Sequence, residues 1–251
     1  MRLLLTTALL AGVLQTVCVA FLQLAAVGAH ASQVTEARGE HDIDRPEPEV
    51  FVVDPAASRV RIHLGRAGLL KFMGHEHVID APIAESRIEL DTADPTRSRV
   101  DLRWSAPLLA VVPGTEPEED VPEVEERMRG PEVLAVEQHP GIRFWSFEIR
   151  VDEADPETGL WSLHMRGGLE LKGHRHTVEV PLEVRREAEA LVATGEVKLR
   201  LRRIGVEPPS VAGVVKVAND FRVAFEVHAR RVDPDPTESR QQNRASSEVV
   251  R

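Results

Sequence analysis

The sequence is poor in aromatic residues and in cysteine. Its 251 residues include no Tyr, 3 Trp, 7 Phe and 1 Cys. Because aromatic residues are so few, Val, Leu and Ala must supply the core. A single Cys excludes a disulfide scaffold and a Cys-rich zinc module. Basic residues are also in deficit, since 31 Lys and Arg stand against 41 Asp and Glu, a formal charge of -10. Because nucleic-acid binders need a basic surface, no nucleic-acid partner is expected.

The first 31 residues are predicted to be a secretory signal. Arg2 precedes a nearly unbroken apolar run over 3–29, which ends in the small-residue site Ala29-His30-Ala31. Cleavage after Ala31 would release a periplasmic or secreted protein. The run is also long enough to span a bilayer if it is not cleaved, so a membrane anchor stays open as the alternative.

The rest of the chain divides into three segments. Residues 32–49 are polar, contain Pro46 and Pro48, and are predicted to be a linker. Residues 232–251 resemble the linker in composition and are predicted to be a disordered tail. Residues 50–231 form the predicted folded domain, within which 112–121 is interpreted as a loop.

Apolar and polar residues alternate over much of this domain. A period of two is typical of strands with one face in a core and one face in water. On the apolar face, strand parity places nine side chains: Ile62, Leu64, Ile88, Leu90, Trp104, Trp161, Met165, Val180 and Phe225. These residues are predicted to point inward, either into a lumen or into a filled core.

Many such strands with little helix to cover them must close on themselves or stack. We therefore predict an all-β fold, an extended antiparallel β-barrel. The segment 121–137 has a more helical period and is predicted to be a short helical insertion, which Gly130-Pro131 splits into two short helices.

Two His-x-His pairs follow glycines. These are His75 and His77 after Gly74, and His174 and His176 after Gly173. Residues two apart on a strand share a face, and both pairs have the parity of the apolar face. By the same parity His63, His164 and His228 point outward.

Three roles are open for the inward pairs. They can fill one end of the core, contact a ligand's polar head group, or bind zinc or copper. We expect the four rings to converge at one end of the barrel. No carboxylate nearby shares the inward face, so a catalytic metal would lack an obvious general base.

Sequence templates for catalysis are missing. The chain has no G-x-S-x-G, no P-loop, no G-x-G-x-x-G after a strand and no H-E-x-x-H. The prediction is therefore a protein that is not an enzyme.

Three segments of the domain form a recognisable series. These are Phe51-Val52-Val53-Asp54-Pro55 with the following Ser58, then 128–144 with His139-Pro140-Gly141-Ile142-Arg143-Phe144, then Gly167-Gly168-Leu169-Glu170-Leu171-Lys172-Gly173 with Val178–Leu182. In their order and spacing they resemble the YceI-like family, and the resemblance spans roughly 50–230.

The resemblance implies a lipocalin-like barrel, exported to the periplasm, that holds a long isoprenoid or similar lipid in its lumen. The nine inward side chains would then contact the lipid. The alternative is a periplasmic metal-binding protein that uses His75, His77, His174 and His176. A homodimer is left open.

Overall fold

The computed structural model describes residues 46–67, 77–155, 157–208, 210–211 and 215–233. The predicted signal, nearly all of the linker, most of the tail and His75 lie outside these residues. In the described part of the chain, no helix is long and apolar enough to span a membrane.

The described residues form twelve strands and one α-helix. The strands are β1 Glu49–Val53, β2 Arg59–Ala67, β3 His77–Asp80, β4 Ile83–Leu90, β5 Arg99–Ser105, β6 Ala110–Val111, β7 Gly141–Asp155, β8 Leu160–Leu171, β9 His174–Glu187, β10 Ala190–Arg200, β11 Ser210–Val211 and β12 Val215–Val232. The helix, α1, is Val121–Arg129. Short 3-10 helices occupy Pro95–Arg97, Ala106–Leu108 and Leu201–Ile204.

Eight strands close into a ring. Their order is β1-β4-β5-β7-β8-β9-β10-β12, and β12 returns to β1 through pairs from Val50↔Val232 to Val53↔Ala229. All of these pairs are antiparallel. The other half of β12 pairs with β2, which extends the sheet to β3 and β6. The all-β barrel prediction is confirmed.

The predicted alternation of apolar and polar residues determines which side chains face the interior of the barrel. Along β9, for example, Val178, Val180 and Leu182 are buried or half-buried, whereas Thr177 and Glu179 are exposed. The interior of an eight-stranded barrel is either filled by its own side chains or encloses one small ligand. The packing of the inner side chains decides between these outcomes.

The helical insertion differs from its prediction in one respect. Helix α1 begins at Val121 as expected and ends at Arg129, capped by Gly130, whose N–H donates to the carbonyls of Glu126 and Arg127. No second helix follows in residues 130–140, all of which the structure describes. The chain forms turns instead, because Ala135 adopts a left-handed backbone with φ 51° that cannot continue a right-handed helix.

Candidate ligand-binding cavity

A cavity of about 680 Å³ runs along the interior of the barrel. Its lining comes from every strand of the closed ring except β1. It extends from His77 on β3, near the loop before α1, to Leu90 and Trp161 at the opposite strand ends. Pockets of this size enclose drug-sized or lipid-sized ligands.

All nine side chains that strand parity placed inward line this cavity. Leu90 and Met165 are each 7% exposed. The other seven are only half-buried, although they point away from the outer solvent: Ile62, Leu64, Ile88, Trp104, Trp161, Val180 and Phe225. Contact of the nine with a ligand stays a prediction.

That half-burial distinguishes a lumen from a filled core. In a packed interior, inward aliphatic side chains interdigitate and leave few voids larger than a water molecule. Here apolar side chains of facing strands leave accessible space between them. The polar edge of Trp104 is already satisfied, because its Nε1 donates to the carbonyl of Ala81 at 3.1 Å, so its ring is available as apolar lining.

A buried carboxylate lies at the His77 end of the cavity. Nδ1 of His77 is hydrogen-bonded to Oε1 of Glu116, and both residues belong to the lining. The Glu116 side chain is 3% exposed and that of His77 is 25% exposed. The expectation that no carboxylate lies near the inward histidines is therefore wrong for His77.

Glu116 reaches His77 through the loop that follows β6. Val112 donates its N–H to the carbonyl of Val78 at 2.8 Å, which fixes the start of the loop beside His77. Gly114 then turns the chain with φ 79°, a conformation that favours glycine. Strand parity carries no information about this contact, because Glu116 is 39 residues away and lies in no strand.

Helix α1 supplies the rim of the same end. Asp120, Glu123 and Arg127 line the cavity there, and Arg127 Nη2 donates to Glu123 Oε1 at 3.1 Å. Glu125 fixes the helix to the barrel, because its Oε1 accepts from the N–H of Val111 at 3.0 Å. The charged lining described here thus consists of three carboxylates, one guanidinium and an imidazole.

The second histidine pair does not join this site. The register Leu171↔His174 and Leu64↔His77 puts the second pair and His77 at the same end of the barrel. The His174 side chain is nevertheless exposed, which corrects its inward assignment, and neither it nor His176 lines the cavity. His174 directly follows the turn at Lys172 and Gly173, so it lies at the rim rather than on the inner wall.

No metal site is found in the part of the chain that the structure describes. The His174 and His176 rings are 6.5 Å apart, but no three His, Cys, Asp or Glu side chains of the described residues are arranged to hold an ion. His75 lies outside those residues. The metal-binding alternative therefore has no support from His77, His174 and His176.

The charged groups with shifted pKa values lie on the outer wall. The hydrogen bond from Arg143 lowers the pKa of Asp101, and the hydrogen bond from His164 lowers the pKa of Asp152. His63, His164 and His228, which parity placed outward, do not line the cavity. These groups stabilise the outer face and leave the lumen almost free of charge except at the His77 end.

Comparison with known proteins identifies the family. The model of the YceI-like domain matches residues 51–229. The chain belongs to the YceI-like family. No match was found among curated proteins.

Several solved structures are similar to this YceI-like chain. Burkholderia cenocepacia BcnA has 16% sequence identity and a TM-score of 0.52, with 70% of this chain and 98% of BcnA covered. A polyisoprenoid binding domain from Saccharophagus degradans, implicated in plant cell wall breakdown, has 12% identity and a TM-score of 0.48, with 72% and 98% covered. Campylobacter jejuni YceI, solved as a mutant with a monobromobimane guest, has 14% identity and a TM-score of 0.45, with 59% and 81% covered.

Proposed function

We propose that this protein is a non-enzymatic carrier that holds one long isoprenoid-type lipid in the barrel. The observation that carries the proposal is the 680 Å³ cavity with its half-buried apolar lining. An isoprenoid is branched, apolar and poorly soluble, so a carrier must remove it from water. Each CH₂ transferred into the lumen contributes about 0.8 kcal/mol.

Family membership supports the same conclusion. The YceI-like resemblance implies a lipid-holding, exported barrel, and the nine inward side chains supply the wall that such a ligand requires. Only the His77 end of the cavity carries charged side chains in the described lining, and they sit at the rim or in a hydrogen-bonded pair. Such a lumen suits binding of a lipid chain better than bond-making chemistry.

Detection of a lipid that co-purifies with the protein from its own host tests the proposal. Native mass spectrometry should show one hydrocarbon-rich adduct per chain, which organic extraction removes. Met165→Glu should abolish the adduct, because the new carboxylate would face the lumen. Val180→Trp keeps the lumen apolar and should reduce the adduct by filling space. This second variant tests the proposal independently if Met165→Glu fails to fold.

Two outward substitutions serve as controls. Thr177→Glu adds the same charge on an exposed position of β9, and His164→Gln changes a side chain that is 42% exposed on the outer face. Both should retain the adduct. Equal loss in the inward and outward variants, or a protein without any hydrocarbon, would contradict the proposal.

Export is the second part of the proposal. We expect the mature protein in the periplasm or medium, with Ser32 as its first residue after cleavage behind Ala31. N-terminal sequencing of the fractionated protein checks this. Retention of residues 1–31 in the membrane fraction would instead favour the anchor.

A further inference from the structure

We infer that His77, oriented by Glu116, is the anchor for the ligand's polar head, and that this head is an uncharged hydroxyl such as an alcohol or a phenol. The inference rests on the proposed lipid-binding function and specifies which class of lipid is held. It begins from the contact between His77 and Glu116 inside the lining of an otherwise apolar cavity.

The Glu116 carboxylate determines which ring nitrogen of His77 is available. A carboxylate accepts hydrogen bonds and favours the imidazole tautomer with its proton on the facing nitrogen. Nδ1 therefore carries the proton and donates to Glu116. In the neutral ring Nε2 then has a lone pair, and among the described residues the side-chain hydrogen bond of His77 is the one between Nδ1 and Glu116.

A lone pair on Nε2 suits a donor on the ligand. A hydroxyl at the end of an isoprenoid chain can donate to Nε2 while its chain lies along the apolar wall. An ether or a hydrocarbon of the same length lacks that donor and would leave the imidazole nitrogen unsatisfied. The site should therefore bind an isoprenoid alcohol more tightly than its ether.

The charges of the rim disfavour an anionic head. The carboxylates of Glu116, Asp120 and Glu123 lie at this end, and the single guanidinium, that of Arg127, is already paired with Glu123. A phosphate or carboxylate head placed here would lose hydration and face like charges. A neutral head avoids repulsion from these three carboxylates and loses less hydration on entering the cavity.

A set of four ligands with one chain length tests the inference. Geranylgeraniol, its methyl ether, geranylgeranyl monophosphate and the saturated hydrocarbon phytane are titrated into the full-length protein. Quenching of Trp104 and Trp161, which line the cavity, reports binding. One net hydrogen bond should make the alcohol about fivefold tighter than the ether, and the phosphate should bind at least about tenfold more weakly than the alcohol.

Variants of His77 assign the effect to that ring. His77→Leu should remove the preference for the alcohol, so that the ratio of alcohol to ether affinity falls to about one. His77→Gln retains an acceptor oxygen and should preserve part of the discrimination. His174→Leu, which changes the exposed histidine at the same end of the barrel, should leave all four affinities unchanged.

Two results would overturn the inference: equal affinity of alcohol and ether for the unmodified protein, or equal losses of alcohol and phytane affinity in His77→Leu. Phosphate binding as tight as alcohol binding would reject the neutral head. Failure of all four ligands to bind would instead refute the proposed lipid-carrier function, so the two failures are distinguishable.

Discussion

The volume of the lumen predicts a limit on ligand length. A protein cavity of 150 Å³ holds one benzene, which corresponds to about 25 Å³ per carbon. At that ratio the 680 Å³ cavity accommodates about 27 carbons, or about five isoprene units. Any further unit of a longer chain would extend into water and gain nothing.

The expected affinity series follows from this limit. Each isoprene unit has five carbons, and at about 0.3 kcal/mol per heavy atom it contributes about 1.5 kcal/mol, or about tenfold in Kd. Prenols of two to eight units should therefore bind about tenfold more tightly per unit up to about five units, after which the Kd should level off. Titration calorimetry on the delipidated protein measures the series.

A bulkier side chain in the lumen should lower the chain length at which the Kd levels off. Val180→Trp adds seven heavy atoms to the inner wall, which at the same ratio removes about 175 Å³. The plateau should then move down by one to two units, whereas Thr177→Trp on the outer face should not move it. Affinity that continues to rise through eight units in the unmodified protein, or a plateau that Val180→Trp leaves in place, would refute the reasoning.

Three further predictions concern stability. Gly168→Ala should lower the free energy of unfolding by about 1–3 kcal/mol, because the new Cβ would lie 2.2 Å from Cζ2 of Trp145; thermal unfolding measures it. Asp101→Asn should lower the free energy of unfolding at pH 7 by about 0.5–1 kcal/mol, because the hydrogen bond from Arg143 lowers the pKa of Asp101. This contribution is present above the unfolded pKa of about 3.9 and is lost as the pH falls through the lower folded pKa. The Tm values of variant and parent should therefore converge in acid. Ala188→Gly should raise the Tm, with about 0.5–1 kcal/mol gained, because Ala188 occupies a left-handed turn with φ 50°.

Each of these predictions has a matched control. Gly141→Ala should be tolerated, since nothing lies within 4 Å of the added Cβ. Asp220→Asn removes a carboxylate that is 77% exposed in a surface ion pair and should cost little at any pH. Ala84→Gly, in strand β4, should lower stability, in contrast to Ala188→Gly. If a variant and its matched control change the unfolding curve by the same amount, the corresponding argument is wrong.

Strand parity predicts most of the inner wall because burial follows period two wherever the ladder is regular. The long segment β7 shows where this fails. Its pairing with β8 shifts register between Ser146 and Glu148 and again between Val151 and Glu153. Each shift changes the phase of the alternation, so Phe147 ends on the outside, 55% exposed, and the segment shows no continuous pattern in sequence.

The lumen and its polar end are not readable from the sequence. Whether inward aliphatic side chains fill the ring depends on the number of strands that close it, which pairwise alternation does not determine. The approach of Glu116 to His77 depends on the bond from Val112 to Val78, which joins segments distant from each other in sequence, and on the left-handed turn at Gly114. The exposed position of His174 likewise follows from the turn before it.

The distribution of polar groups also determines which way round a lipid lies. At the end opposite His77 the lining includes Leu90 and Trp161, and the hydroxyl oxygen of Ser98 already accepts from the N–H of Asp91 at 3.0 Å. A polar head at that end would find little to bond with and would lose its hydration. At the His77 end it meets an imidazole and rim water. An amphiphile therefore gains most when its chain lies toward Trp161 and its head lies at the His77 end, and the units of a chain longer than the cavity extend into water without adding affinity.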